Sequence, residues 1–197
     1  MKDRGDREMS PSQEAQRLEE LATQIRSCVQ CPLHASRTHA VPGDGTPGAK
    51  VMLIGEAPGR EEDSRGHPFV GAAGRFLDAV LAGSGLDRSA LFITNTVKCR
   101  PENNRTPRKR EVDTCASLYL FEQLALVNPP LIMVLGSVAA KKLLGVSSVS
   151  EARGRLIEHN QRKFLVGYHP AASFYREDIA EKVKEDFALL SQELQKL

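Results

Sequence analysis

Apolar residues recur along this chain at two different spacings. After residue 12, Leu18, Leu21, Ala22 and Ile25 fall on one helical face. From residue 51 the pattern changes to short apolar runs at 51–54, 91–94, 131–135 and 164–166. Helical spacing returns between the runs, first at Phe76, Leu77, Val80 and Leu81, then over 112–126 and 138–144. Thr106 and Pro107 suit the start of the second of these, Thr as cap and Pro as the first helical residue. A last helix over 179–197 would bury Val183, Phe187 and Leu190. Strands alternating with helices predict an α/β fold, a three-layer sandwich whose mostly parallel central sheet is covered on both faces.

The chain has 197 residues, room for one domain with a real core. Residues 1–12 are charged and nearly free of apolar side chains, so they are expected to be disordered, with the domain over 13–197. No apolar run approaches the ~20 residues needed to cross a bilayer. The start of the chain also lacks the apolar stretch of a signal peptide, so a cytoplasmic protein is expected, without a membrane partner. The net charge is +2, too small to point to nucleic acid by itself. Any such reading must rest on local clustering.

Open parallel sheets carry their sites beyond the carboxyl ends of their strands. Here the predicted strand ends are Gly55-Glu56-Ala57-Pro58-Gly59, Asn95, Gly136-Ser137 and Gly167-Tyr168-His169-Pro170. A carboxylate, an amide and an imidazole would therefore meet on one edge. Taken alone, Glu56 also reads as a surface carboxylate, Asn95 as a turn former and His169 as a structural histidine.

Four cysteines occur, at Cys28, Cys31, Cys99 and Cys115. In a cytosolic chain they suggest a metal site more than disulfides. The pattern C-x2-C followed by C-x15-C supplies four thiolates, which suit zinc or an iron–sulfur cluster equally. A CxxC redox pair with two buried thiols is the other reading. His34 and His39 lie near Cys31 but read as surface loop residues.

Three segments resemble the family 4 (type 4) uracil-DNA glycosylases. The first runs from Gly55-Glu56-Ala57-Pro58-Gly59 to Gly66-His67-Pro68-Phe69-Val70-Gly71-Ala72-Ala73-Gly74. The second is Asn95-Thr96-Val97-Lys98-Cys99-Arg100-Pro101 with Asn104-Arg105-Thr106-Pro107, and the third is His169-Pro170-Ala171-Ala172. The resemblance spans roughly residues 15–195. It implies a uracil-DNA glycosylase-like sandwich and hydrolysis of the uracil glycosidic bond in DNA. It also implies a [4Fe–4S] cluster on Cys28, Cys31, Cys99 and Cys115. The expected partner is uracil-containing DNA, single- or double-stranded, bound by a monomer.

The resemblance also implies roles. Such an enzyme flips its base into a pocket. Asn95 would read the base edge, Phe69 would stack on it, and Gly55 and Ala57 would line the pocket. Glu62 would guard the C5 side of the ring against thymine, although Glu61, Glu62 and Asp63 also read as a solvated charge run. His169 would stabilise the leaving uracil anion. Glu56 would place water, steady the sugar cation or touch the base through its backbone. In family 1 an aspartate follows the position of Glu56, and here that place is Ala57, so the water-orienting residue stays open. One branch of the superfamily crosslinks to DNA through a histidine on a basic insert. No histidine lies between Cys99 and Cys115, which implies turnover instead.

The basic run Lys98, Arg100, Arg105, Arg108, Lys109 and Arg110 would neutralise phosphates. Ser137 would hold a phosphate at a helix start, and Phe174 would wedge into the minor groove. Two other functions compete. One is a non-catalytic iron–sulfur DNA-binding module of the same fold, against which Glu56, Asn95 and His169 stand together. The other is a nucleotide or redox protein. Gly43, Gly45 and Gly48 form a G-x-G-x-x-G, but it precedes the first strand and opens no helix.

Overall fold

The computed structural model describes residues 10–197. Nine of the twelve residues expected to be disordered lie outside that range. Helix α1 (Pro11–Ser27) begins where Ser10 and Gln13 form a reciprocal capping box, and it buries Leu21 and Ile25. The helices α2 (Arg60–Arg65), α3 (Ala72–Gly83), α4 (Lys109–Cys115), α5 (Phe121–Val127), α6 (Ser137–Leu144), α7 (Val149–Ala152) and α8 (Glu177–Leu194) follow. They alternate with strands β1 (Val51–Gly55), β2 (Leu91–Asn95), β3 (Leu131–Leu135), β4 (Leu156–His159) and β5 (Arg162–Gly167).

The sheet order is β2-β1-β3-β5-β4, parallel throughout except that β4 runs antiparallel to β5. Strand alternation divides the core in two. Val51, Leu53, Ile93, Leu131, Met133 and Leu165 face Leu77, Val80, Val183, Phe187 and Leu190 of α3 and α8. Met52, Ile54, Phe92, Ile132, Val134, Phe164 and Val166 face Leu120, Leu124, Ala139 and Ala140. Strands buried on both faces read as continuous apolar runs, which is why all four parallel strands were visible in the sequence. A third cluster packs Leu21 and Ile25 of α1 on Leu33, Val97, Val112 and Tyr119.

Three expectations about elements need correction. Strand β4 was not anticipated: it is an edge strand with no fully buried residue, so it lacks an apolar run. The helix expected over 112–126 is two helices joined by a wider, π-type turn at Ala116–Leu120. It starts at Lys109 rather than at Pro107, because the Glu111 carboxylate accepts from Arg108 N–H at 2.7 Å and so caps the helix there.

The G-x-G-x-x-G also has a structural explanation. Asp44 and Ile93 exchange backbone hydrogen bonds of 2.9 and 2.7 Å, laying this loop along the free edge of β2. A Cβ at Gly45 would lie 2.6 Å from the Leu91 carbonyl oxygen, and φ there is +133°. Glycine lets the loop touch the strand. No helix among the described residues is long and apolar enough to cross a membrane.

Candidate active site

Beyond the carboxyl ends of β1, β2 and β5 lies a cavity of about 460 Å³. Its wall includes Glu56, Ala57, Glu62, Phe69, Asn95 and His169, so the three expected strand-end groups do come together. Gly55 stands behind it, paired in register with Asn95.

Asn95 continues the alternation of Leu91 and Ile93 and is 2% exposed. Its Oδ1 has no hydrogen-bond partner among the described residues. Buried polar atoms are rarely left so, and at the edge of a cavity an unpaired acceptor marks a place for a ligand's donor. A Cβ at Gly55 would collide with this oxygen and lie 2.8 Å from Phe69 Cζ, so the absent side chain leaves room for both groups.

Phe69 is buried with φ at +51°, a left-handed conformation costly for an aromatic residue. Two features hold it. Gly74 leaves space for the Phe69 carbonyl, which a Cβ there would strike. The Glu62 carboxylate accepts from Val70 N–H (2.9 Å), Gly71 N–H (2.8 Å) and Gly59 N–H (3.0 Å), clamping the turn from inside. Glu62 is thus buried and fully engaged by backbone donors, not part of a solvated charge run.

The Phe69 ring stacks on His169 with centroids 5.5 Å apart and planes 26° from parallel. His169 Nδ1 accepts from Ala171 N–H at 3.2 Å, which leaves Nε2 as the protonated nitrogen of a neutral ring. Burial pushes the His169 pKa down to about 4, while nearby Glu62 acts weakly in the opposite direction. The ring is therefore neutral at pH 7. Burial alone raises the Glu56 carboxyl above its usual range.

The basic run does not form one surface. Lys98 is 1% exposed. Its Nζ donates to Thr94 Oγ1 (2.6 Å), Asn95 O (2.8 Å) and Gln123 Oε1 (2.6 Å). Burial pushes its pKa down to about 7, with Cys115 opposing. Arg105 reaches the cavity wall but is gripped bidentately by buried Glu111 at 2.8 and 2.9 Å. Arg100 donates to Asn104 Oδ1 at 2.7 Å. Lys109 pairs with Asp113, while Arg108 and Arg110 are exposed. Ser137 is exposed at the first turn of α6, after Gly136 at φ +93°. Phe174 is exposed, but its neighbour Tyr175 is the one on the cavity wall. From sequence the loop from Ala171 to Tyr175 reads as the wedge, with Phe174 ahead of Tyr175 in it, while Glu111 and the burial of Lys98 are missed. Only the last left a trace, in the apolar neighbour Val97 and Cys99 on either side.

The expected [4Fe–4S] cluster, and with it any iron–sulfur or other metal-binding assignment, is corrected. Among the described residues no group of three or more His, Cys, Asp or Glu is placed to hold a metal ion. Cys28, Cys31, Cys99 and Cys115 are free and line one narrow cleft, but its cavity measures about 10 Å³, roughly the space of a single water. Burial pushes the thiols of Cys31 and Cys99 up, and that of Cys115 to about 12. Their sulfurs accept hydrogen bonds from the protein: Cys99 from Arg37 at 3.1 Å and Cys115 from Lys98 N–H at 3.3 Å. The iron–sulfur DNA-binding module loses its cluster by the same finding. His34 and His39 are exposed and bond to backbone carbonyls.

Comparison with known proteins agrees with the fold, and the matched range includes all three motifs. The family described as the Uracil DNA glycosylase superfamily matches residues 42–195. The type-4 uracil-DNA glycosylase of Archaeoglobus fulgidus is 41% identical over 86% of this chain and 89% of its own length. That of Thermotoga maritima is 38% identical over 78% of this chain and 81% of its own. The type-5 uracil-DNA glycosylase of Pyrobaculum aerophilum is more distant, at 31% over 66% of this chain and 65% of its own. A pocket at the strand ends with an amide, an imidazole and carboxylates on its wall, and similarity along most of the chain, converge: this protein belongs to the type-4 uracil-DNA glycosylase family.

Proposed function

We propose that this chain is a monofunctional DNA glycosylase of base excision repair, which flips uracil out of DNA and hydrolyses its N-glycosidic bond to leave an abasic site. The unpartnered Oδ1 of buried Asn95 carries the reading. Uracil presents a donor at N3 and an acceptor at O4, and a fixed amide meets both, with Oδ1 accepting and Nδ2 donating. Cytosine presents the reverse pattern.

Each remaining group takes a role consistent with its surroundings. Phe69, held rigidly by Glu62 and Gly74, offers its ring to the base. Gly55 and Ala57 keep that wall of the pocket low. Glu62 stands on the same wall, where it restricts room for the thymine methyl. Bond cleavage leaves a sugar oxocarbenium ion and a uracil anion, and His169 Nε2–H donates to the anion at O2. A neutral donor suits this task, since it is already in place and loses no proton near pH 7. Because the Glu62 oxygens are taken by N–H groups, Glu56 is the carboxylate left to serve the water or the sugar cation.

DNA is gripped by Arg100, Arg105, Arg108 and the α6 start at Ser137, with Phe174 and Tyr175 at the mouth where the base leaves. The chain acts as a cytoplasmic monomer on uracil in single- or double-stranded DNA. The test is a single-turnover reaction on an oligonucleotide with one uracil. An alkali-labile site at that position and released uracil support the reading; intact oligonucleotide with excess protein overturns it.

A further inference from the structure

Lys98 lies in a segment that reads as a basic surface run, yet it is among the most deeply buried residues of the chain. Val97 and Cys99 on either side are buried as well. An ammonium in such a place is costly unless every donor is matched. Here each is. Thr94 Oγ1 donates its own proton to Pro42 O at 2.8 Å, so its lone pair faces Nζ. Gln123 Nε2 also donates to Pro42 O at 2.8 Å, so its Oε1 turns to Nζ. The third acceptor is the main-chain oxygen of Asn95 at 2.8 Å. Three acceptors for three N–H donors describe a cage built for a lysine.

We propose that Lys98 is a positioning residue for Asn95, fixing from behind the main chain from which the pocket amide projects. The inference rests on the reading of Asn95 given above. The Asn95 Oδ1 has no partner among the described residues to aim it, so its direction is inherited from the backbone. That backbone is tied from both β1 and Lys98. Thr96 N–H and Oγ1 both donate to Gly55 O, at 2.9 and 2.8 Å, and Lys98 holds the Asn95 carbonyl. Through Gln123 the same cage joins the end of β2 to α5, so the pocket wall is braced against the helical layer behind it. A residue kept only to fill space would be apolar here, because a methionine of equal length carries no desolvation cost.

The test compares Lys98→Met in the wild-type and Asn95→Ala backgrounds, using single-turnover excision from a uracil oligonucleotide and affinity for the same sequence without uracil. Small displacements of a positioned group cost on the order of a hundredfold in rate. The expected result is a loss of about that size in the wild-type background and almost none beside Asn95→Ala, with affinity for the uracil-free DNA retained. Equal fold losses in both backgrounds would overturn the proposal, because a merely structural lysine acts independently of Asn95.

A second readout needs no activity. The side-chain 15N–1H resonances of Asn95 in the DNA-free protein should move on Lys98→Met and, to a smaller degree, on Thr94→Val, which removes one acceptor. Thr94→Val carries both measurements if Lys98→Met does not fold. Should the wild type leave uracil in DNA, the uracil reading falls, and the resonances still decide this proposal: unmoved, they overturn it.

Discussion

Gly55 and Asn95 face each other across the β1–β2 ladder, and a Cβ on Gly55 would collide with the Asn95 amide oxygen. The missing side chain on one strand therefore makes room for the functional one on the next. Gly55→Ala should displace Asn95 and Phe69 together and lower uracil excision on the order of a hundredfold. Melting temperature should fall less than for an apolar truncation in the core. Single-turnover rates and thermal melts check this, and an active Gly55→Ala would show that the amide has slack.

His169→Ala should reduce single-turnover excision far more than DNA affinity. Its proposed partner is a charge that appears only as the bond breaks, so the loss falls on the chemical step. Removing one preorganised donor costs ~3–4 kcal/mol, or roughly a hundred- to a thousandfold in rate. Equal losses in rate and affinity would assign the histidine to binding.

The same histidine should tie stability to pH. Its pKa is about 4 in the folded protein, against an ordinary value near 6.5 in the unfolded chain. Between those values the unfolded chain binds more protons, so folding weakens as pH falls from about 6.5 to about 4 and levels off below. Urea denaturation at pH 7 and pH 5 should show wild type losing about 1–2 kcal/mol more than His169→Gln over that interval. Identical losses would mean that the ring titrates normally.

Arg105 and Arg108 should separate in a salt titration. Arg108 is exposed, whereas Arg105 is held by buried Glu111. Arg108→Ala should flatten the plot of log affinity against log salt by about one unit, with little change in melting temperature. Arg105→Ala should lower the melting temperature, since Glu111 is left buried without its cation. An unchanged slope for Arg108→Ala would place that side chain away from phosphate.

Much of this site is written in the local pattern. Strands buried on both faces leave apolar runs, and the groups just past their ends must share an edge, so Glu56, Asn95 and His169 could be grouped before any coordinates. Edge strand β4 escaped because half-exposed strands leave no run. Lys98 was misread because a lysine among arginines looks like surface, and only its three acceptors, drawn from Thr94, Asn95 and Gln123, reveal the cage. Cysteine spacing suggested a four-thiolate metal site and the family resemblance a cluster, whereas whether four thiols can close on a metal depends on cleft size, which spacing does not carry. The G-x-G-x-x-G at 43–48 is set aside as a phosphate loop by its place before the first strand, but its actual role, covering a strand edge 46 or more residues away in sequence, shows only in the fold.

The central claim is that the Asn95 amide reads uracil, and the most direct measurement is single-turnover excision of uracil by wild type and by Asn95→Asp. The substitution keeps shape and replaces the N–H donor facing O4 with an acceptor. A well-formed pair of hydrogen bonds to a base edge contributes ~1–3 kcal/mol of discrimination, so uracil excision should slow by roughly ten- to a hundredfold or more. The cytosine edge would then fit better, and weak cytosine excision should emerge. Uracil removal by Asn95→Asp at the wild-type rate would contradict the account.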